Sequence, residues 1–202
     1  MYDAVTDPYC YPGTTVLVNR AGLHRRMELD AFEHEAVLQR GDEPLPTGRL
    51  SVTHYLALHR HLFQDVYAWA GNLRTARIAK GGSMFCYPEH IAAELHRLFA
   101  GLRKDAYLRF LAPEEFSDKA AHFLAELNAV HPFREGNGRT QLVFLTLLAE
   151  KAGHTLDLYG LDPAAALNAM IYSFHGDERP LAAVILDLIV SQREPPIPFS
   201  RA

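Results

Sequence analysis

The chain has 202 residues, of which 49% are apolar and 22% are charged, values that are typical of a globular domain in water. Its formal net charge of −4 argues against a domain whose main task is to hold a nucleic-acid backbone, and no stretch approaches the ~20 consecutive apolar residues that a membrane span requires. Two isolated cysteines, Cys10 and Cys86, and no readable signal peptide lead us to expect a cytoplasmic protein that binds neither nucleic acid nor membrane.

The chain is expected to begin with an irregular arm and two helices. Proline and glycine recur near the start and predict an N-terminal arm over 1–27. Apolar residues at helical spacing then predict a helix over 28–40. A second helix is predicted from a cap at Ser51 or Thr53 to about Trp69.

The rest of the chain is expected to be helical, apart from one small β-hairpin. Two short extended runs on either side of Gly81-Gly82 predict this hairpin near 74–87. Five further helices are predicted over 88–102, 113–131, 140–152, 163–174 and 179–192. The expected fold class is all-α, in a single domain over 1–202 with a core at about 7–192 and a loose tail over 195–202.

The segment HPFREGNGRT, residues 131–140, lies between two predicted helices and carries groups suited to chemistry on phosphates. Gly136 and Gly138 permit a backbone turn whose amides, together with a helix N-terminus, form an anion site. Arg139 offers a cationic fork for phosphate oxygens, and Glu135 is placed to hold Mg²⁺. His131 is the group in this segment that can accept a proton near neutral pH.

Each of these groups alone has a simpler explanation. A single histidine at a helix end is commonly a cap or a surface residue, and Gly-Asn-Gly is commonly only a turn. Phe133 is expected to be structural and to anchor the loop in the core. The combination of a base, a metal ligand, an amide cradle and a cation at fixed spacing nevertheless indicates phosphoryl-transfer chemistry.

This segment matches the signature of the Fic (filamentation induced by cAMP) family, His-Pro-Phe-x-Asp/Glu-Gly-Asn-Gly-Arg, at every specified position. The wider chain also resembles small bacterial Fic proteins, over about 7–189. Asp7-Pro8-Tyr9 resembles their N-terminal arm, and Trp69-Ala70-Gly71 resembles the end of the helix before their hairpin.

The resemblance implies a protein adenylyltransferase that moves AMP from ATP to a Tyr, Ser or Thr hydroxyl of a target protein. His131 would be the general base, and Glu135 would hold Mg²⁺. Phosphate would contact Gly136, Asn137, Gly138 and Arg139.

The predicted hairpin corresponds to the family's flap, which aligns the target as an added strand. The residues implied in this positioning are Gly81, Gly82, Met84 and Phe85. Lys80 has two interpretations that the sequence leaves open: contact with the nucleotide, or simple solvation.

Leu142 departs from the family pattern, because many members carry a second arginine at this position. In the family that arginine helps to bind the γ-phosphate and pairs with the glutamate of an inhibitory helix. The Ser/Thr-x-x-x-Glu-Gly/Asn sequence of such a helix is not found in this sequence. The resemblance therefore implies the toxin of a toxin–antitoxin pair, with a small antitoxin supplying the inhibitory helix.

Two other interpretations stay open. Leu142 favours a catalytically weak module that binds a nucleotide or a partner. A hydrolase that removes AMP from modified proteins would use the same base and metal in the reverse reaction. The histidines His54, His59 and His61 share one predicted helix, but His54 and His61 are roughly 11 Å apart along its axis, so we expect no metal site there.

Overall fold

The computed structural model describes residues 7–80 and 83–190, and the prediction of a mainly helical fold is confirmed. The helices of this part of the chain are α1 (Arg26–Gly41), α2 (Val52–Phe63), α3 (Pro88–Lys104), α4 (Pro113–Val130), α5 (Asn137–Ala152), α6 (Pro163–Phe174) and α7 (Arg179–Leu188). Two 3-10 turns that the sequence did not predict lie at Ala106–Leu108 and Leu158–Gly160. Within these described ranges, no helix is long and apolar enough to cross a lipid bilayer.

α2 begins at the predicted position but ends earlier than predicted. The Ser51 side chain accepts a hydrogen bond from a first-turn amide and caps the helix. The helix ends at Phe63 rather than near Trp69, because the amides of Val66 and Tyr67 both bond to the Phe63 carbonyl. Val66 and Tyr67 are still buried, which explains why the spacing of apolar residues in this turn segment resembles that of a longer helix.

The loop between α4 and α5 is shorter than predicted, because α5 begins three residues earlier. Gly136 precedes it with φ +81°, in the left-handed region that glycine enters without strain. Gly138 therefore lies in the first helical turn, not in the loop. At the other side, α4 ends at Val130, where the following proline removes a hydrogen-bond donor, and His131 caps it with φ +46°.

Two apolar clusters meet beneath this loop. α4 packs against α3, α5, α6 and α7, and the fully buried rings of Tyr55, Phe133 and Phe144 belong to this main cluster. A second cluster joins α1, the end of α2 and the N-terminal arm around Phe63. Burial of one such ring contributes ~1.5–3 kcal/mol. The loop after α4 is thus anchored in the main cluster through Phe133.

The predicted hairpin is present only as a narrow ladder. β1 (Ala79–Lys80) and β2 (Ser83–Met84) pair antiparallel, in the register Ala79–Met84 and Lys80–Ser83. Gly81 and Gly82, the predicted turn, lie outside the described residues, as does the side chain of Lys80. Regular pairing therefore covers much less of 74–87 than the sequence suggests.

Candidate active site

His131 follows the last residue of α4 and has a left-handed backbone conformation. Its amide still bonds to the Leu127 carbonyl at 3.0 Å, while φ of +46° takes the chain out of the helical path. The imidazole stacks on Phe85, with ring centroids 3.9 Å apart and an angle of 18° between the planes. This contact joins the predicted base to the strand that follows the hairpin turn.

A cavity of about 960 Å³ opens beside His131, and we call it the polar cavity because charged side chains are part of its otherwise mixed wall. The N-terminal arm, the hairpin and the loop between α4 and α5 all line it, through Asp7, Thr75, Arg77, Ile78, Arg134 and Glu135 among others. Asn137 and Gly138 complete the wall at the start of α5. The cavity therefore brings His131, Glu135 and the glycine segment together, as a phosphoryl-transfer site requires.

An apolar cavity of about 280 Å³ lies on the other side of the same residues. It is an open cleft between α4, α5, α6 and α7, with Leu124, Leu142, Leu145, Leu167, Met170 and Ile185 in its wall. His131 and Gly138 line both cavities. Leu142, which departs from the family pattern, thus faces an apolar surface that suits its side chain.

The two glycines of the motif serve different purposes. A Cβ atom on Gly136 would lie 2.4 Å from ring carbons of Phe63, so both the packing and the positive φ require glycine there. A Cβ on Gly138 would meet no atom within 4 Å, and this residue is exposed. Packing therefore does not explain a glycine at 138, whereas close approach of a ligand would.

The Asn137 side chain is committed to the loop. Its Oδ1 accepts the Phe133 amide at 3.0 Å, and its Nδ2 donates to the Phe133 carbonyl at 2.9 Å. The side chain is 3% exposed. Any contact of Asn137 with an anion must therefore come from its backbone amide, one of the first-turn amides that have no acceptor within the helix.

Arg139 turns away from both cavities toward α1. Its Nη2 lies 2.6 Å from Oε1 of Glu33 and 3.6 Å from Oε1 of Glu135, and the guanidinium covers the Phe63 ring at 4.7 Å. The hydroxyl of Tyr67 donates to the other oxygen of Glu33. Arg139 is not among the described residues that line either cavity. Glu33 was not identified from the sequence, since it lies 106 residues from Arg139.

Arg134 is a second site residue that the sequence reasoning missed, because it occupies the variable position of the motif. It lines the polar cavity, and its Nη2 lies 2.6 Å from Oδ2 of Asp7 in the arm. Burial is the largest single effect on Asp7 and raises its pKa, but the hydrogen bonds from Arg134 and from the Tyr9 amide, together with the charge of Arg134, outweigh burial and lower the pKa. The pair therefore fastens the arm to the site as a charged contact.

His59 supports the loop from α2. Its Nδ1 accepts the Gly71 amide at 2.8 Å, so the proton of the neutral ring is on Nε2, which donates to the Glu135 carbonyl at 3.0 Å. The ring is fully buried and stacks on Phe133 at 3.7 Å. Burial is the main cause that lowers the pKa of His59 to about 4.

We expect this histidine to make the protein less stable in mild acid. Between pH 6.5 and about 4 the unfolded chain binds a proton that the folded chain does not, so stability falls as the pH falls. The expected loss is about 2 kcal/mol of unfolding free energy between pH 7 and pH 5. Urea unfolding at both pH values measures it, and His59→Gln, although less stable, should lose about 2 kcal/mol less on acidification. The exposed His96 offers the control His96→Gln; equal pH dependence in all three proteins would contradict the assignment.

The carboxylate of Glu135 fits a Mg²⁺ ion that is held mainly by phosphates. It lines the polar cavity, with 36% of its side chain exposed. Over the described ranges, no group of three or more His, Cys, Asp or Glu side chains is arranged to hold a metal ion by itself. Mg²⁺ commonly binds through one or two carboxylates together with substrate phosphates, so a single carboxylate in the cavity is sufficient.

The hairpin residues take two different positions. Phe85 is 9% exposed and lies under the His131 ring, whereas Met84 is 52% exposed on β2. Phe85 is thus part of the support of the site, which the sequence motif alone could not indicate.

The sequence and the fold both match known proteins. A model of the Fic/DOC family matches residues 49–149. The chain is 56% identical to the probable protein adenylyltransferase y4lH of Sinorhizobium fredii, over 93% of this chain and 98% of the relative. It is 37% identical to the probable protein adenylyltransferase Fic of Salmonella typhimurium, over 93% of this chain and 94% of the relative.

The fold is similar to that of the BepC protein of Bartonella tribocorum, a VirB-translocated effector protein whose crystal structure contains bound AMPPNP. The TM-score is 0.81 at 26% sequence identity, covering 92% of this chain and 97% of that one. From its sequence, its fold and its site loop, the chain belongs to the Fic/DOC family.

Proposed function

We propose that this protein is a protein adenylyltransferase that moves AMP from ATP onto a Tyr, Ser or Thr hydroxyl of another protein. The observation that carries the proposal is the position of His131, which borders both cavities beside Gly138 at the start of α5. A site that only binds an anion has no need of a base at this point. The names of the two relatives and the AMPPNP in BepC support the same activity.

The two cavities suit the two ends of ATP. The purine base enters the apolar cavity, whose wall includes Leu142, and the phosphates face the amides of Gly136, Asn137 and Gly138. Arg139 contacts the pyrophosphate that leaves after its side chain turns from Glu33 toward the polar cavity. Lys80, whose side chain lies outside the described residues, is proposed to contact the nucleotide.

The target protein adds a strand to the hairpin. β2 presents Met84 to solvent, and the residues Gly81, Gly82 and Phe85 complete the aligning segment. Backbone pairing of this kind fixes the distance of a target hydroxyl from His131 without reading much of the target's sequence. The target therefore needs an extended segment that carries a hydroxyl.

The reaction is a direct displacement at phosphorus. His131 accepts the proton of the target hydroxyl, whose oxygen forms a bond to the α-phosphorus while the bond to pyrophosphate breaks. The amides at the start of α5 stabilise negative charge on the α-phosphate oxygens. Glu135 would hold Mg²⁺, which neutralises charge on the phosphates when it is bound.

ATP labelled on either the α- or the γ-phosphate tests this proposal. The purified protein is incubated with bacterial lysate and Mg²⁺, and labelled protein is detected after denaturing electrophoresis. We expect label only from the α-phosphate, and none when EDTA removes the metal. Label from the γ-phosphate alone would mean kinase chemistry and would overturn the proposal.

The same assay separates the two alternative functions. A module that only binds nucleotide would bind AMPPNP but would label no protein from either phosphate. A hydrolase would remove label from AMP-modified protein after ATP is withdrawn. Leu142 favours neither of these alternatives, because its apolar side chain lies in the wall of an apolar cavity.

The proposal extends to the protein's organisation and partners. The arm, the hairpin and the helices all line one site, which supports a single domain. A small antitoxin is proposed to cover the apolar residues that α6 exposes beside the apolar cavity, Leu167, Ile171 and Tyr172. The free thiols of Cys10 and Cys86 and the use of ATP support a cytoplasmic reaction.

A further inference from the structure

Arg74 is a buried cation that is surrounded by backbone carbonyls instead of a carboxylate. It is 2% exposed, and none of the ion pairs within 7–80 and 83–190 includes it. Burial lowers its pKa. Four hydrogen bonds satisfy the guanidinium: Nε to His131 O at 2.7 Å, Nη1 to Ala76 O at 2.7 Å, and Nη2 to Cys86 O at 2.5 Å and to Val130 O at 3.3 Å.

On one side, Arg74 holds the end of α4. The last carbonyls of a helix have no partner within it and carry partial negative charge, so a cation is favourable there. Arg74 meets this need at Val130 and at His131 itself, and its own amide bonds to the Pro132 carbonyl at 2.9 Å. These bonds hold the left-handed backbone of His131, which sets where its ring points.

On the other side, the same guanidinium holds the base of the hairpin. Ala76 precedes β1 and Cys86 follows β2, so the fork joins the two ends of the hairpin. Phe85 is next to Cys86 and stacks on the His131 ring at 3.9 Å. One side chain therefore holds the backbone of His131 and the backbone next to Phe85, on the two sides of the stack.

We propose that Arg74 is a positioning residue for AMP transfer, which keeps the target-aligning hairpin in register with His131. The inference rests on the proposed function, because it gives a purpose to the orientation of the base. The apolar cavity, which is proposed to take the purine base, is walled mainly by α4, α5, α6 and α7, and the hydrogen bond of Arg74 to these helices goes to Val130 at the end of α4. Loss of the fork is therefore expected to change transfer more than nucleotide binding.

Arg74→Lys tests this inference, because it keeps the charge but loses the planar fork. We expect the initial rate of α-label incorporation into a lysate protein, at saturating ATP, to fall about 10- to 30-fold. The Kd for AMPPNP with Mg²⁺ should change less than about 3-fold. Arg179→Lys, at an arginine whose side chain is 89% exposed, is the matched control and should transfer AMP at the native rate.

Transfer rates are expressed per AMPPNP-binding site, so that a lower yield of folded protein is not mistaken for a lower rate of AMP transfer. Arg74→Gln, which has no charge but can still donate to two carbonyls, is measured beside it. A native rate per site in either variant would overturn the inference, and so would loss of nucleotide binding in both. The proposed function is tested separately by His131→Ala: if that variant transfers AMP as fast as the native protein, it is the role of His131 that fails.

Discussion

Replacing His131 by alanine is expected to lower the rate of AMP transfer by about 10²- to 10⁴-fold, the usual contribution of a positioned general base. The fold should persist, because the bonds that Arg74 makes here go to backbone carbonyls and are not lost with the ring. Nucleotide binding should also persist, since the start of α5 and the leucine side chains that line the apolar cavity are unchanged. The measurement is α-label incorporation together with the Kd for AMPPNP.

His131 has a positive φ, so alanine changes the backbone preference as well as the chemistry. His131→Asn separates the two effects, because asparagine enters the left-handed region more readily and cannot act as a base near neutral pH. Both variants should be inactive. An active His131→Asn beside an inactive His131→Ala would assign the loss to backbone strain. The exposed His96 provides the control His96→Ala, which should have native activity.

The location of the candidate site was predictable because most of its groups are contiguous in the chain. His131, Glu135 and the two glycines lie within eight residues of one another, and the helices on either side could be located from their apolar spacing. The extent of each helix was less predictable. Val66 and Tyr67 are buried in turns that repeat the spacing of a helix, so burial alone did not reveal the end of α2.

The supports of the site could not be predicted, because their partners are far apart in the sequence. Arg134 bonds to Asp7 across 127 residues, and His59 bonds to Glu135 across 76. Nothing local distinguishes such a residue from one that is solvated. Arg74 is the clearest example: a single arginine in a loop suggests exposure, yet the fold buries it among carbonyls.

Replacing Gly136 by alanine is expected to cost about 2–5 kcal/mol of unfolding free energy. The left-handed backbone accounts for about 1–2 kcal/mol of this, and the overlap with Phe63 for about 1–3 kcal/mol. The Phe63 ring cannot easily move to relieve this overlap, because the added Cβ would lie 2.4 Å from two ring carbons and the ring is fully buried. Thermal unfolding should show a Tm lower by roughly 5–20 °C.

Two other glycines separate this steric effect from glycine's general properties. Gly101→Ala lies inside α3 with no atom within 4 Å of the new Cβ, so stability should rise by about 0.5–1 kcal/mol. Gly138→Ala should keep the native Tm, but its methyl group would stand where the two cavities meet and should weaken AMPPNP binding. If Gly136→Ala is as stable as Gly138→Ala, then the loop can move away from Phe63, and the anion site is not held by the second apolar cluster. If Gly136→Ala is much less stable than Gly138→Ala, the shape of the site loop depends on the contact of Gly136 with the Phe63 ring. Phe63 is the last residue of α2, a helix that contributes no catalytic group.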